Sequence, residues 1–296
     1  MKRYRSIQKD TSALSSAITI TLLMSITAAA LSGMLADKIP EWGAESERRH
    51  MEDVRRQIGI LDNGINAIMN APDGGTGAYM STRIPLSARG DNMAGVGQTV
   101  GTLSIEPITE DVSTSSMMVT QRSGSDEDLI LSTGGRISYR SNNVFFTEVD
   151  YVFEMGAIIS ITDETVSMVT PPELTMTTNL TGAPQITLIS PKLIGVDRKI
   201  SHEGSATVIC RMAQPYFPKT LDSDDPLDVS VYIGTDYPQV WQDFFTERFV
   251  EIGLSSPVDY SFSDWDDGGS LRGTRLDLND IDYFTTGSAI IEIDVE

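Results

Sequence analysis

Residues 11–36 contain no charged side chain, no proline and a single glycine. At a rise of 1.5 Å per residue, these 26 positions form a helix about 39 Å long, more than the roughly 30 Å hydrocarbon core of a bilayer. Such a run predicts a transmembrane helix. Lys2, Arg3, Arg5 and Lys9 precede it against one acid, Asp10, so residues 1–10 read as a basic cytoplasmic leader and the long remainder faces outward. A removable secretory signal is the alternative, with Ala28-Ala29-Ala30 resembling its cleavage site. Its apolar region is usually only about 7 to 15 residues, however. Ser15, Ser16, Thr19, Thr21, Ser25 and Thr27 can bond back to helical carbonyls, and small residues let neighbouring helices approach closely in lipid.

Pro40 and Gly43 predict a break near the membrane surface, where Trp42 suits the interfacial aromatic belt. A second, amphipathic helix then fits residues 37–71. Its apolar positions Met51, Val54, Ile58, Leu61, Ile65 and Ile68 recur at alternating spacings of three and four, an a/d seam. Glu45, Glu47, Arg48, Arg49, Glu52, Asp53, Arg55 and Arg56 cover the other faces. The seam spans fewer than three heptads, which favours packing on the chain's own domain over a coiled coil.

The basic leader, the Lys9-Asp10-Thr11-Ser12-Ala13-Leu14 junction, the apolar helix, its amphipathic continuation and a β-rich remainder together resemble archaeal type IV pilin-like proteins with a class III signal peptide. The likeness covers about the first quarter of the chain. It implies cleavage by a prepilin peptidase at Lys9, Asp10 and Thr11, and assembly with identical or other pilin-like subunits through the N-terminal helix. Asp10 occupies the position where that family has a small residue, and Ala13 the one where proline is common. A retained anchor on a monomeric receptor or adhesin therefore stands as the alternative.

The chain has 42 acids and 22 Lys and Arg; from residue 38 onward the counts are 40 and 18. Such a surface repels nucleic acid and anionic headgroups. Cys210 is the only cysteine, which excludes an intramolecular disulfide. Its apolar setting predicts core packing.

After a turn-rich link at 72–77 the pattern becomes that of short strands: 78–86, 98–105, 115–120, 129–132, 136–139, 144–153, 157–162, 164–169, 173–178, 185–193, 205–212, 228–233, 258–262 and 290–295. At the end Ile291, Ile293 and Val295 alternate with Glu292, Asp294 and Glu296, predicting one buried and one wet face. Near 237–250 a helix is expected, with Val240, Phe244, Phe245, Phe249 and Val250 as its apolar stripe. The fold class is thus α+β: a transmembrane helix, an amphipathic stalk, and an antiparallel β-rich extracellular domain over 72–296.

His50, on the charged face of the stalk, and His202, in a turn, are the only histidines. With no zinc-spaced cluster, nucleophile elbow or phosphate loop, no enzyme, cofactor or transition-metal site is expected. Acidic clusters at 222–228, 264–268 and 277–282 read as solvated loops, or as weak calcium sites outside the cell. Asn179-Leu180-Thr181 is a candidate N-glycosylation sequon, and Arg89-Gly90-Asp91 reads as an ordinary turn.

Overall fold

The computed structural model describes residues 4–71, 77–88, 100–108, 115–123, 126–178, 183–215, 218–266 and 272–296; at 4–15, 123, 126 and 222–226 it describes the backbone alone. One helix, α1 (Tyr4–Met69), runs 66 residues, about 99 Å at the helical rise. The expected separate amphipathic helix does not exist as its own element, because α1 continues through Pro40 without a break. A proline forfeits one backbone bond inside a helix. Here Gly43, three residues on, lies so close to the Phe145 ring that a Cβ would come within 2.4 Å of it. The glycine serves close packing rather than a turn.

The strands follow: β1 (Tyr79–Pro85), β2 (Thr102–Glu106), β3 (Ser116–Ser123), β4 (Asp126–Gly134), β5 (Arg136–Arg140), β6 (Val149–Glu154), β7 (Ala157–Thr162), β8 (Val166–Thr170), β9 (Glu173–Thr178), β10 (Pro184–Ile189), β11 (Lys192–Gly195), β12 (Arg198–Ile200), β13 (Ser205–Gln214) and β14 (Lys219–Gly234). Helix α2 (Pro238–Glu251) comes next, with its proline in the first turn, where no backbone donor is needed. It is followed by β15 (Tyr260–Asp266), β16 (Arg272–Gly287) and β17 (Ile290–Val295).

They form a four-stranded sheet (β1-β13-β17-β11), a six-stranded sheet (β12-β2-β5-β6-β7-β8) and a seven-stranded sheet (β4-β3-β14-β16-β10-β9, with β15 also on β16). The head is not wholly antiparallel: β10 runs parallel to β16, and β11 parallel to β17. Both strand pairs cross side by side from the seven-stranded to the four-stranded sheet, joined at the crossing by Ser190 N–H to Gly287 O and Lys192 N–H to Ala289 O.

Period-two alternation in the six-stranded sheet gives it two apolar faces. Tyr151, Phe153 and Ile158 join the core that holds α1 and the four-stranded sheet, whereas Val152 and Ile159 contact α2 through Val240. Beyond α2 lies the seven-stranded sheet: Trp241, Phe244, Phe245 and Phe249 pack with Val229, Val231, Leu276 and Leu278. The layers therefore run four-stranded sheet, α1, six-stranded sheet, α2, seven-stranded sheet. In α2, Trp241 belongs to the buried stripe and Val250 does not, being 62% exposed.

Several elements depart from the sequence reading. The strand expected at 144–153 is only β6, because 144–146 bend to meet α1. The 185–193 run is split into β10 and β11, and β12 was not anticipated. The acidic stretches read as loops are largely strands: 222–228 lies in β14, 264–266 in β15 and 277–282 in β16. Pairing shifts in β14 between Asp222 and Leu227 and between Leu227 and Val229, and Asp280 has a φ of 56°, so these strands carry irregularities where the acids cluster.

Candidate functional site: the joint between helix and head

α1 has two environments. Over its first half the large apolar side chains from Ile18 to Leu35 are 42–66% exposed, on every side of the helix. The most apolar window in the described part has a mean hydropathy of 1.9 with none of it buried, so the helix is long and apolar enough to cross a membrane. Thr21, Ser25 and Thr27 donate their hydroxyls back to the carbonyls of Ala17, Thr21 and Leu23 at 2.8–2.9 Å, which removes them as unsatisfied polar groups in lipid.

Over the second half, Met51, Val54, Ile58, Leu61, Ile65 and Ile68 are all buried in the core between the four- and six-stranded sheets. At about 1.5–3 kcal/mol per fully buried large side chain, this seam stabilises the union of helix and head by on the order of 10 kcal/mol. Where α1 enters the head, polar contacts orient it. The buried Glu47 accepts the backbone N–H groups of Val144, Phe145 and Phe146 at 3.0, 2.7 and 2.7 Å. Three amides converging on a carboxylate form an anion nest, here occupied by the chain's own helix.

His50 corrects the sequence reading: it faces inward, is 7% exposed, and is hydrogen-bonded through Nε2 to the Tyr139 hydroxyl at 2.9 Å. Burial pushes its pKa down, against the opposing fields of Asp53 and Glu47. Farther along, Thr82 donates to Gln57 at 3.1 Å and Gly64 packs on Met80, both from β1. Asp62 is also buried, with Asn66 alone bonded to it among the described residues, at 3.3 Å, and burial pushes its carboxyl up to about 6. The solvent face of this segment is zwitterionic: Glu45 pairs with Arg48 and Arg49, which hold its carboxyl down to about 2, and Arg56 pairs with Asp53. A groove of about 580 Å³ separates that face from β1.

A second buried polar cluster ties the layers beyond. Glu154, at the end of β6, accepts from Thr235 Oγ1 at 2.6 Å and Trp241 Nε1 at 2.9 Å, both on Oε1. Its Oε2 has no hydrogen-bond partner among the described residues, and burial pushes its carboxyl up. Arg136 bridges Glu106 at 2.8 Å and Asp236 at 2.6 Å beside it.

The remaining sequence candidates do not gather. Cys210 is buried in β13, and burial pushes its thiol up to about 12, leaving it inert near neutral pH. His202 is exposed, with Nδ1 hydrogen-bonded to the neighbouring Glu203 O at 2.7 Å. Among the described residues no group of three or more His, Cys, Asp or Glu is placed to hold a metal ion; the side chains of 222–226 and residues 267–268 of the acidic clusters lie outside the described residues. Lys9, Asp10 and Thr11 lie in α1, described by backbone alone; Asn179, the 89–91 turn and most of the 72–77 link fall outside the described residues. The Glu47 nest and the His50–Tyr139 pair escaped sequence reading because their partners are 89 to 99 residues away.

The helix and the head together define the class: a membrane-anchor-like helix carrying a β-rich α+β domain. Comparison with protein-family models, curated proteins and solved structures finds no match.

Proposed function

We propose that this chain is a non-enzymatic cell-surface structural protein, a pilin-like or pseudopilin-like subunit. In this reading α1 crosses the cell membrane once and the head stands outside the cell. The observation that carries it is the division of α1 into an uncovered apolar half and a half sealed within the head. The uncovered half requires an apolar surrounding: lipid in the precursor, then the helices of identical or sister subunits in an assembly. Rigid continuity through Pro40 would let such an assembly fix the position of each head. The non-enzymatic part is supported by the inert Cys210 thiol and by a buried His50 engaged with Tyr139.

Asp10 at the processing junction favours the second reading, a monomeric anchored receptor or adhesin binding an extracellular ligand, whose helix never leaves the bilayer. Intact-mass analysis of the membrane-extracted protein separates the two. A mature chain beginning at or beside Thr11 supports the subunit, and one retaining residues 2–9 supports the lone anchor. Surface filaments that lack the chain would overturn assembly, and recovery wholly in the soluble cytosolic fraction would overturn both.

A further inference from the structure

Strand β8 ends the six-stranded sheet, and among the described residues nothing pairs with its outer edge. Edge strands are usually blunted by charge, proline or a bulge. Val166–Thr170 carries no charge and no proline, and the bulge at Val169 and the following Pro171 leave Val166–Met168 as the regular open edge. A groove of about 350 Å³ runs between this strand and α2. Val166, Ser167 and Met168 all border it. Met168 pairs with Ile159, which packs on Val240, so by alternation Val166 and Met168 turn their side chains to the groove, beside the unpaired edge. Val240 and Phe244 form the apolar part of the opposite wall, and Val166 is 41% exposed.

We infer that this groove binds an extended peptide segment of another protein by strand addition to β8, an apolar side chain of the peptide entering between β8 and α2 and alternating with Lys or Arg. Main-chain bonds to the free edge supply affinity and the groove supplies side-chain selection. The charge preference follows from the rim. Asp243 and Glu247 line it, and the exposed Asp163 and Glu164 precede β8. Among the described residues that line it the one base, Arg248, is engaged by Glu251 at 2.9 Å and lies 5.9 Å from the Phe244 ring centroid. A second copy is disfavoured as occupant, since residues 57–296 carry 35 acids against 13 Lys and Arg and would set acid against acid. The inference does not depend on whether α1 assembles.

The test uses the full chain in detergent and a fluorescent six-residue peptide alternating Lys with Val, capped at both ends, read by anisotropy. Two derivatives are N-methylated on alternate amides, one in each register. In a paired strand only every second amide faces the sheet, so one derivative loses at least tenfold in affinity while the other binds like the parent. Asp243→Lys with Glu247→Lys weakens parent binding at least tenfold, and a peptide with Glu in place of Lys does not bind. Equal binding by the two derivatives would reduce the effect to general attraction between a base and an acidic protein and overturn strand addition. No binding by the parent overturns the proposal, as does a dimer of the chain abolished by Val166→Lys, which would assign the edge to a second copy.

Discussion

Glu47 binds helix to head through three backbone amides at once. Charge-assisted bonds are about twice as strong as neutral ones, and removing an acceptor leaves its donors to find water. Glu47→Ala is therefore expected to cost about 3 kcal/mol, and Glu47→Gln, with one acceptor oxygen left, about half that. Denaturant unfolding of the detergent-solubilised chain measures the loss; faster amide exchange at residues 144–146 shows that it arises at the nest. Asp62 acts in the opposite sense. Its folded-state value of about 6 lies above the ordinary 3.8, so the native state holds the proton more tightly than the unfolded chain. That contribution is complete below about pH 4 and is lost as pH rises through about 6, a change on the order of 2 kcal/mol. Asp62→Asn should remove it, making the variant about 2 kcal/mol more stable than the parent at pH 7 but not at pH 4. Melting curves at both pH values decide this, and an unchanged difference would show that Asp62 is solvated in the fold.

Among the elements, those with uninterrupted periodicity were legible. The seam of α1 and the alternation of β17 each repeat a simple period, and every apolar position in them is buried. β16 was not, although it pairs with three other strands. Its Leu276 and Leu278 are buried, but Asp277, Asp280 and Asp282 interrupt the apolar pattern, and the left-handed Asp280 marks where the alternation slips before Ile281. What makes the acids acceptable is largely distant: besides its neighbour Arg275, Asp277 receives Ser230 from β14, and Asp282 receives Gln185 from β10. Local sequence carries no sign of Ser230 or Gln185. Pro40 misled for a related reason, since one lost helical bond is small against a seam worth on the order of 10 kcal/mol. The joint was half legible: its apolar seam is a periodic signal, whereas Glu47 and His50 looked like members of a solvated face until the 144–146 segment and Tyr139 were placed beside them.

For the whole molecule, the decisive property is that α1 belongs to two solvents. Among the described residues its apolar run from Ile18 to Leu35 has no apolar partner within the chain, and its second half fills the space between two sheets. The parts should then separate unequally. A chain beginning at Asp37 keeps Gly43, Glu47, His50 and the entire seam while shedding the exposed apolar run, and is expected to be soluble without detergent and to unfold cooperatively. A chain beginning at Gly77 loses the seam and uncovers Ile84, Tyr139, Tyr151 and Val208, which pack in the same core. The burial forgone, on the order of 10 kcal/mol, rivals the 5–15 kcal/mol by which folded proteins exceed their unfolded states. This shorter chain should aggregate or bind hydrophobic dyes instead of folding. Sedimentation and thermal melts of the two chains provide the comparison. Equal stability would mean that the head is complete without α1, and the helix would then be a tether attached to a finished domain rather than the centre of its first core.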